Sequence, residues 1–269
     1  MIMKIFSWND IQTLLNTGRE EDFFSKACGI SIGSFDGLHK GHRLLLSELK
    51  AACRKENLNA GLVTFKRPLP SIKHSKDYNG DITSLNQRLR LFEEEEIDFV
   101  IVVDFDESFA SMLGADFLSI LMNICNMKLI AEGEDFRCGY KGATDVEAIK
   151  YFAQKNNLKT IFVEPVYDSK VASEAQRISS SYIRSMIQKG FFESVKELLC
   201  RPYEIDLENV DFTEKGKSFI INKKDILQVL PPKGIYHVKD SSSKDFRICI
   251  KDESLELQTL KMVSKILFD

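Results

Sequence analysis

The sequence lacks any apolar run close to the roughly 18–20 residues that cross a bilayer as a helix. Residues 1–9 are too few and too polar for the apolar core of a secretory signal. Basic residues are not in excess, because 37 Lys and Arg stand against 40 Asp and Glu, for a formal net charge of -3. That balance argues against a broad basic surface that wraps nucleic acid, and leaves room for a local basic pocket around one phosphorylated ligand. The six cysteines form no C-x-x-C pair and no finger-like spacing with the four histidines, which argues against structural zinc. A chain of 269 residues can bury a full core without disulfides. The expectation is a reduced, cytoplasmic protein of one large or two moderate domains, with no nucleic-acid or membrane partner.

From residue 28 onward, strand-like and helix-like segments alternate. Short apolar runs at 28–35 (CGISIGSF), 60–65 (AGLVTF), 99–103 (FVIVV), 128–131 and 160–163 read as buried strands. Between them, Leu44, Leu45, Leu46, Leu49 and Ala52 recur at helical spacing, as do Leu85, Leu89, Leu91 and Phe92. Thr83 or Ser84 is the expected cap of the second of these helices. A helix pair or one broken helix, interrupted at Gly114, is predicted over 109–122, and another helix over 145–154 capped by Thr144. Residues 66–81 read as a long loop. Such alternation indicates an α/β domain with a parallel sheet covered on both faces, its ligands at the carboxyl ends of the strands. After Arg201-Pro202-Tyr203 the pattern changes to short β-like segments at 219–221, 234–238, 246–250 and 255–260, which predict a small antiparallel sheet or barrel. The expected domains are therefore 1–203 and 204–269.

The stretch Gly33-Ser34-Phe35-Asp36-Gly37-Leu38-His39-Lys40-Gly41-His42 follows a predicted strand and opens a predicted helix, where a phosphate-binding turn belongs. Glycines at 33 and 37 allow backbone angles closed to other residues, and Gly41 leaves room for a ligand to approach the backbone. His39 and His42, three apart, project from one side of the first helical turn, beside free helix amides. Two imidazoles there suit a polyphosphate and the charge that develops as it is cleaved. The plain alternatives are a tight turn and two surface histidines. No G-K-[ST] follows, so this is not a Walker A loop, and the G-x-G-x-x-G dinucleotide pattern is absent too. Asp36 is read as a turn residue.

The H-x-G-H turn resembles the signature of the nucleotidyltransferase superfamily, and ISIGSFDGLHKGHRLLL is similar to the bacterial FAD synthetases (FMN adenylyltransferases). Further matches follow in that family's order: VTF at 63–65, VVDFDESFA at 102–110, ADFL at 115–118, GEDFRCG at 133–139 and RISSSYIRSMI at 177–187. The resemblance implies a Rossmann-like nucleotidyltransferase domain that binds ATP and FMN with Mg2+. It implies catalytic roles for His39, His42 and Arg184. Nucleotide contacts would come from Gly33, Ser34, Phe35, Gly41, Gly133, Asp135, Arg177, Ser180 and Ser181. Arg177 and Arg184 bring fixed charge suited to phosphate oxygens, and Ser180 and Ser181 bring hydroxyl donors. The plain alternative for this second motif is a capped surface helix, since Ser179 to Ser181 are good N-caps.

Four departures from the family pattern bear on function. Ser34 stands where asparagine is usual, and Ser181 where threonine is usual. KRPLP at 66–70 stands where a Pro-His-Pro pattern is usual on the flavin side, so Lys66 and Arg67 either supply charge there or are simply solvated. In bifunctional relatives a β-barrel riboflavin kinase follows the Arg-Pro-Tyr junction, marked by Gly-x-Pro-Thr-Ala-Asn, and no such run follows Tyr203. PKGIYHV at 232–238 resembles that barrel's Pro-x-Gly-Val-Tyr strand, which implies a reduced, mainly-β barrel without kinase activity. The resemblance also implies closing helices in a kinase, and the expectation is that this chain lacks them. Transfer of AMP from ATP to FMN is the leading expectation. A different phosphorylated acceptor, and a non-catalytic flavin- or nucleotide-binding protein, stand as alternatives.

Overall fold

The computed structural model describes residues 2–18, 21–69, 78–168 and 176–268. The chain divides into two compact units. One comprises Met1–Phe35, Gly41–Leu69 and Leu89–Val166, and the other Asp36–Lys40, Pro70–Arg88 and Tyr167–Asp269.

The first unit is built on six parallel strands: β1 (Lys4–Ser7), β2 (Cys28–Ile32), β3 (Asn59–Phe65), β4 (Phe99–Val103), β5 (Met127–Gly133) and β6 (Lys159–Val163). Their spatial order is β1-β4-β3-β2-β5-β6. Every residue of β2 and β3 is buried, as expected of central strands covered on both faces. From β2 the chain first winds to β3 and β4, and later returns to β5 on the other side of β2. The β2–β5 boundary is thus where the winding reverses, the usual ligand position in open α/β sheets.

Helices α1 (Trp8–Thr17), α2 (Lys40–Glu56), α3 (Leu85–Glu94), α4 (Glu107–Ser111), α5 (Gly114–Ile124) and α6 (Val146–Asn156) connect these strands. The core of the unit joins Trp8, Ile30, Val63, Phe99, Ile101, Phe117, Leu121 and Ile130. Phe6, Phe24 and Phe99 add an aromatic cluster with centroids 4.9–6.4 Å apart. The break at Gly114 is real and separates α4 from α5; a side chain at Gly114 would meet Thr144. One strand goes unread in the sequence, and one expectation needs correction. The edge strand β1 is not legible in sequence because KIFS is only four residues long, so it carries little periodicity. The cap of α6 is Asp145, whose carboxylate accepts from the Ala148 amide at 3.0 Å, and not Thr144, whose backbone bridges to Cys138.

The second unit opens with the short antiparallel pair β7 (Tyr167–Asp168) and β8 (Gln176–Arg177), which leads into helices α7 (Ser180–Gln188) and α8 (Phe192–Leu199). Seven strands follow: β9 (Tyr203–Asp206), β10 (Thr213–Lys215), β11 (Ser218–Asn222), β12 (Gly234–Lys239), β13 (Asp245–Ile250), β14 (Ser254–Gln258) and β15 (Lys265–Phe268). They form one antiparallel sheet in the order β10-β11-β14-β13-β12-β15-β9. Buried and more exposed residues alternate along β9, β11, β14 and β15, which gives the sheet one packed face. On this unit Phe192 stacks against Phe268 with centroids 4.4 Å apart. This is the antiparallel β unit expected, with β9, β10 and β15 added to the segments read from sequence. No helix of the described residues is long and apolar enough to cross a membrane.

Candidate active site

Sequence dictates an irregular path between β2 and α2. Phe35, Gly37 and Leu38 all take positive φ, at 46°, 85° and 38°, conformations that non-glycine residues adopt only where the surroundings impose them. A side chain on Gly37 would be strained by its φ and would press on Ile82 and Leu199 at 3.1–3.2 Å. Phe35 is buried and sets its ring edge-on to His42 at 5.4 Å and to Phe92 at 5.7 Å. Ser34 accepts from the Leu69 amide through its hydroxyl and from Thr64 through its carbonyl, at 3.2 and 3.3 Å, and the Gly33 amide donates to the Val63 carbonyl. Gly41 and His42 lie in the first turn of α2, both partly accessible.

Gly133 ends β5, beside the β2 tip, and Asp135 is exposed on the tight turn that follows, where the Phe136 amide returns to the Gly133 carbonyl. The first unit therefore gathers Gly33, Ser34, Phe35, Gly133 and Asp135 at the carboxyl ends of β2 and β5, where the winding reverses. Lys66 is exposed and pairs with Asp104 at 3.1 Å, a solvated contact worth little. Pro70 of the KRPLP stretch lies outside the described residues.

The second unit holds the middle of the turn, and here Asp36 is far more than a turn residue. Its buried carboxylate accepts from the amides of Ile82 and Thr83, from the Thr83 hydroxyl, and from Arg184 Nη2 at 2.5 Å. Arg184 also donates to the Gly80 carbonyl at 2.9 Å and to the Tyr78 hydroxyl at 3.2 Å, and its guanidinium lies 4.8 Å from the centroid of the Tyr78 ring. Ser180 donates to the Asp36 carbonyl at 2.8 Å, Arg201 to the Gly37 carbonyl at 2.8 Å, and the Gly37 amide to Thr83 at 2.9 Å. The turn is thus pinned by its backbone and its carboxylate. Ser84 and Gln87 form a reciprocal cap at the start of α3, which holds the 82–84 strap that grips Asp36.

His39 is 5% exposed. Burial pushes its imidazole down to about 4, against the opposing pull of Asp36 and with help from the positive charges of Arg177 and Arg201. A neutral imidazole is the state at pH 7, so His39 presents one N–H donor and one acceptor nitrogen rather than a cation. Arg177 and Ser181 are exposed at the entrance to α7, whose cap is Ser179, accepting from the Tyr182 amide.

Within the second unit, the residues singled out from sequence therefore fall into three kinds. His39 and Arg177 act on each other electrostatically, Ser180 and Arg184 grip Asp36, and Ser181 stands exposed. Sequence reading misses the anchoring work of Asp36, Thr83, Tyr78 and Arg201. It also misses Glu132, which is 1% exposed near the end of β5. A glutamate directly after the apolar run Leu129–Ala131 is the one available signal for it.

Four similarities to known proteins bear on this geometry. A model of the FAD synthetase family matches residues 22–182. The bifunctional riboflavin kinase/FMN adenylyltransferase of Buchnera aphidicola (strain Sg) is 31% identical over 178 residues, 65% of this chain and 55% of that protein. The protein of the same description from Escherichia coli K12 is 29% identical over 219 residues, 80% of this chain and 68% of that protein. The chain thus spans between about half and two thirds of the length of these curated relatives. A crystal structure described as a macrolide-efflux protein from Streptococcus pneumoniae superposes with a TM-score of 0.72 at 21% identity, over 90% of this chain and 84% of that one, a likeness of fold alone. With the matched segment running from the strand before the H-x-G-H turn through the Ser-Ser-Ser helix start, the chain belongs to the FAD synthetase family.

Proposed function

We propose that the protein is an FMN adenylyltransferase, which transfers AMP from ATP to the phosphate of FMN and releases pyrophosphate, and that it has no riboflavin kinase activity. The observation that carries this reading is the family match over 22–182, which takes in the H-x-G-H turn that follows β2. Both reactants carry phosphates that repel each other, so catalysis consists of positioning and charge neutralisation, without a side-chain nucleophile.

In this reading a phosphate oxygen of FMN attacks the α-phosphorus in line, and the bond to the β-phosphate oxygen breaks. His39, neutral before ATP arrives, donates an N–H to a phosphate oxygen. As negative charge builds on the leaving pyrophosphate, proton binding at His39 becomes more favourable, which opposes the penalty of its burial. His42 and Arg177 add donors to the phosphates, with Ser181 as a hydroxyl donor. Gly33, Ser34, Phe35, Gly41, Gly133 and Asp135 shape the nucleoside side. Arg184 and Ser180 serve by holding Asp36, and with it the turn. Mg2+ would accompany the triphosphate in this reading and shield its charge.

The reading without kinase activity rests on the missing Gly-x-Pro-Thr-Ala-Asn run in the segment that forms the antiparallel sheet. The test is product chromatography with ATP, Mg2+ and either FMN or riboflavin. FAD from FMN, and no FMN from riboflavin, is expected. FMN made from riboflavin refutes the second half of the proposal. No product from either acceptor refutes the first.

A further inference from the structure

The tips of β2 and β5 are joined in an unusual way. Their backbone pairing runs only from Cys28 to Ile30, opposite Met127 to Ile130, and is irregular between Cys28 and Gly29. Beyond it the Ile32 amide donates to a side chain, Glu132 Oε1, at 2.6 Å. The backbone of Glu132 is meanwhile paired on its other side with β6, opposite Phe162. Ile32 is the last residue of β2, and the next amide, Gly33, donates to Val63 of β3 at 3.0 Å. The start of the turn is therefore tied on one flank by backbone and on the other by one buried carboxyl group.

We propose that Glu132 is a positioning residue for the nucleotide-binding turn, its side chain linking the tips of β2 and β5 where a backbone ladder has ended. A side-chain link is longer than a main-chain one, so the tips can part at the reversal point while Ile32 stays satisfied. Parting there is what a ligand between strand ends requires. An apolar residue at 132 would leave the Ile32 amide without this acceptor, and buried amides are costly to orphan.

Burial holds the Glu132 carboxyl well above its ordinary value of 4.5, opposed by the Ile32 amide. Burial therefore favours the protonated form of the group that makes this link. The Cys138 thiol, from the loop after β5, is pushed up to about 12 by burial and by Glu132. In β2 (CGISI) the titratable residue is Cys28, at the opposite end of the strand. In β5 (MKLIAEG) it is Lys128, four residues before Glu132 and exposed. In β6 it is Lys159, also at the far end and paired with Glu56 at 2.6 Å. None of these groups supplies a cation beside the carboxyl, so ionisation leaves a buried charge without compensation.

The folded chain holds this proton more tightly than the unfolded chain. The link therefore contributes fully below 4.5, and its contribution is lost as pH rises toward the raised value. The proposal rests on the turn binding ATP, so the test separates the two claims. Affinity for a non-hydrolysable ATP analogue with Mg2+ is measured by calorimetry, and Tm from pH 5 to pH 9.5, for the intact chain, Glu132→Gln and Glu132→Met.

Gln keeps an acceptor and cannot ionise; Met keeps the volume and has neither property. Binding weakened roughly tenfold or more in the Met variant and largely restored in the Gln variant is expected, because small displacements of positioned groups cost that much. The Tm of the parent should fall with rising pH relative to that of Glu132→Gln. Met binding as well as the parent, or Gln binding as poorly as Met, overturns the positioning role. Parallel Tm curves for parent and Gln overturn the neutral link. If none of the three binds the analogue, the nucleotide reading fails instead, and the Tm curves still decide the state of Glu132.

Discussion

Removal of the Arg184 side chain tests most searchingly, among single substitutions, how the turn is held. In Arg184→Ala the Asp36 carboxylate keeps the Ile82 and Thr83 amides and the Thr83 hydroxyl, but loses the guanidinium at 2.5 Å. Side-chain exposures of 9% for Arg184 and 1% for Asp36 mean that water does little to screen the orphaned charge. Breaking a buried pair by deleting one partner costs about 3–5 kcal/mol. For a chain of this size each kcal/mol lowers Tm by roughly 2–4 °C, so a loss of about 6–20 °C is expected by calorimetry. Asp36→Asn keeps an acceptor for the strap and should lose less than Arg184→Ala. In Asp36→Asn/Arg184→Ala the two losses should fall short of additivity, because the second change removes a partner already lost. Full additivity, or a loss in Arg184→Ala below about 1 kcal/mol, refutes the anchoring role and returns Arg184 to direct phosphate contact.

Other side chains carry expectations of their own. His39→Ala and His42→Ala should each lower turnover with FMN by roughly 10²–10³-fold with a small change in Tm, as seen by steady-state kinetics; unchanged turnover and ATP affinity would sink their roles. Because burial lowers His39 to about 4, the unfolded chain binds its proton first as pH falls through the ordinary value of 6.5. Stability from this residue is then full above pH 6.5 and lost toward pH 4, by about 3 kcal/mol. His39→Gln should remove that acid slope when its Tm is compared with the parent's at each pH; identical slopes contradict a buried neutral imidazole. Ser84→Ala should cost about 1 kcal/mol by chemical denaturation, through loss of the α3 cap. Arg177→Ala should raise the KM for ATP while leaving Tm nearly unchanged, because the residue is exposed.

The parts of this molecule that depend on neighbours in sequence are legible, and those that depend on distant partners are not. The apolar runs of β2 to β6 and the glycine and histidine pattern between β2 and α2 are local signals, and they locate the parallel sheet and the turn. The partnership of Asp36 with Arg184 spans 148 positions, and no local pattern announces it. The same arginine reads as a phosphate ligand from its motif and as an anchor from its contacts. In sequence Arg201 marks only the end of a helix, yet its guanidinium holds the Gly37 carbonyl. At α6 two adjacent residues could each cap, and the carboxylate of Asp145 rather than the hydroxyl of Thr144 takes the place. In the second unit the charged strand Thr213–Lys215 is exposed throughout and has no apolar alternation to betray it.

Transfer of the adenylyl group to FMN is tested most directly by following the α-phosphorus. With ATP labelled at the α-phosphate, Mg2+ and FMN, label in FAD and unlabelled pyrophosphate are expected in equal amounts, both formed roughly 10²–10³-fold more slowly by His42→Ala. Label that stays in ATP, or that leaves as free AMP without FAD, would contradict the transfer.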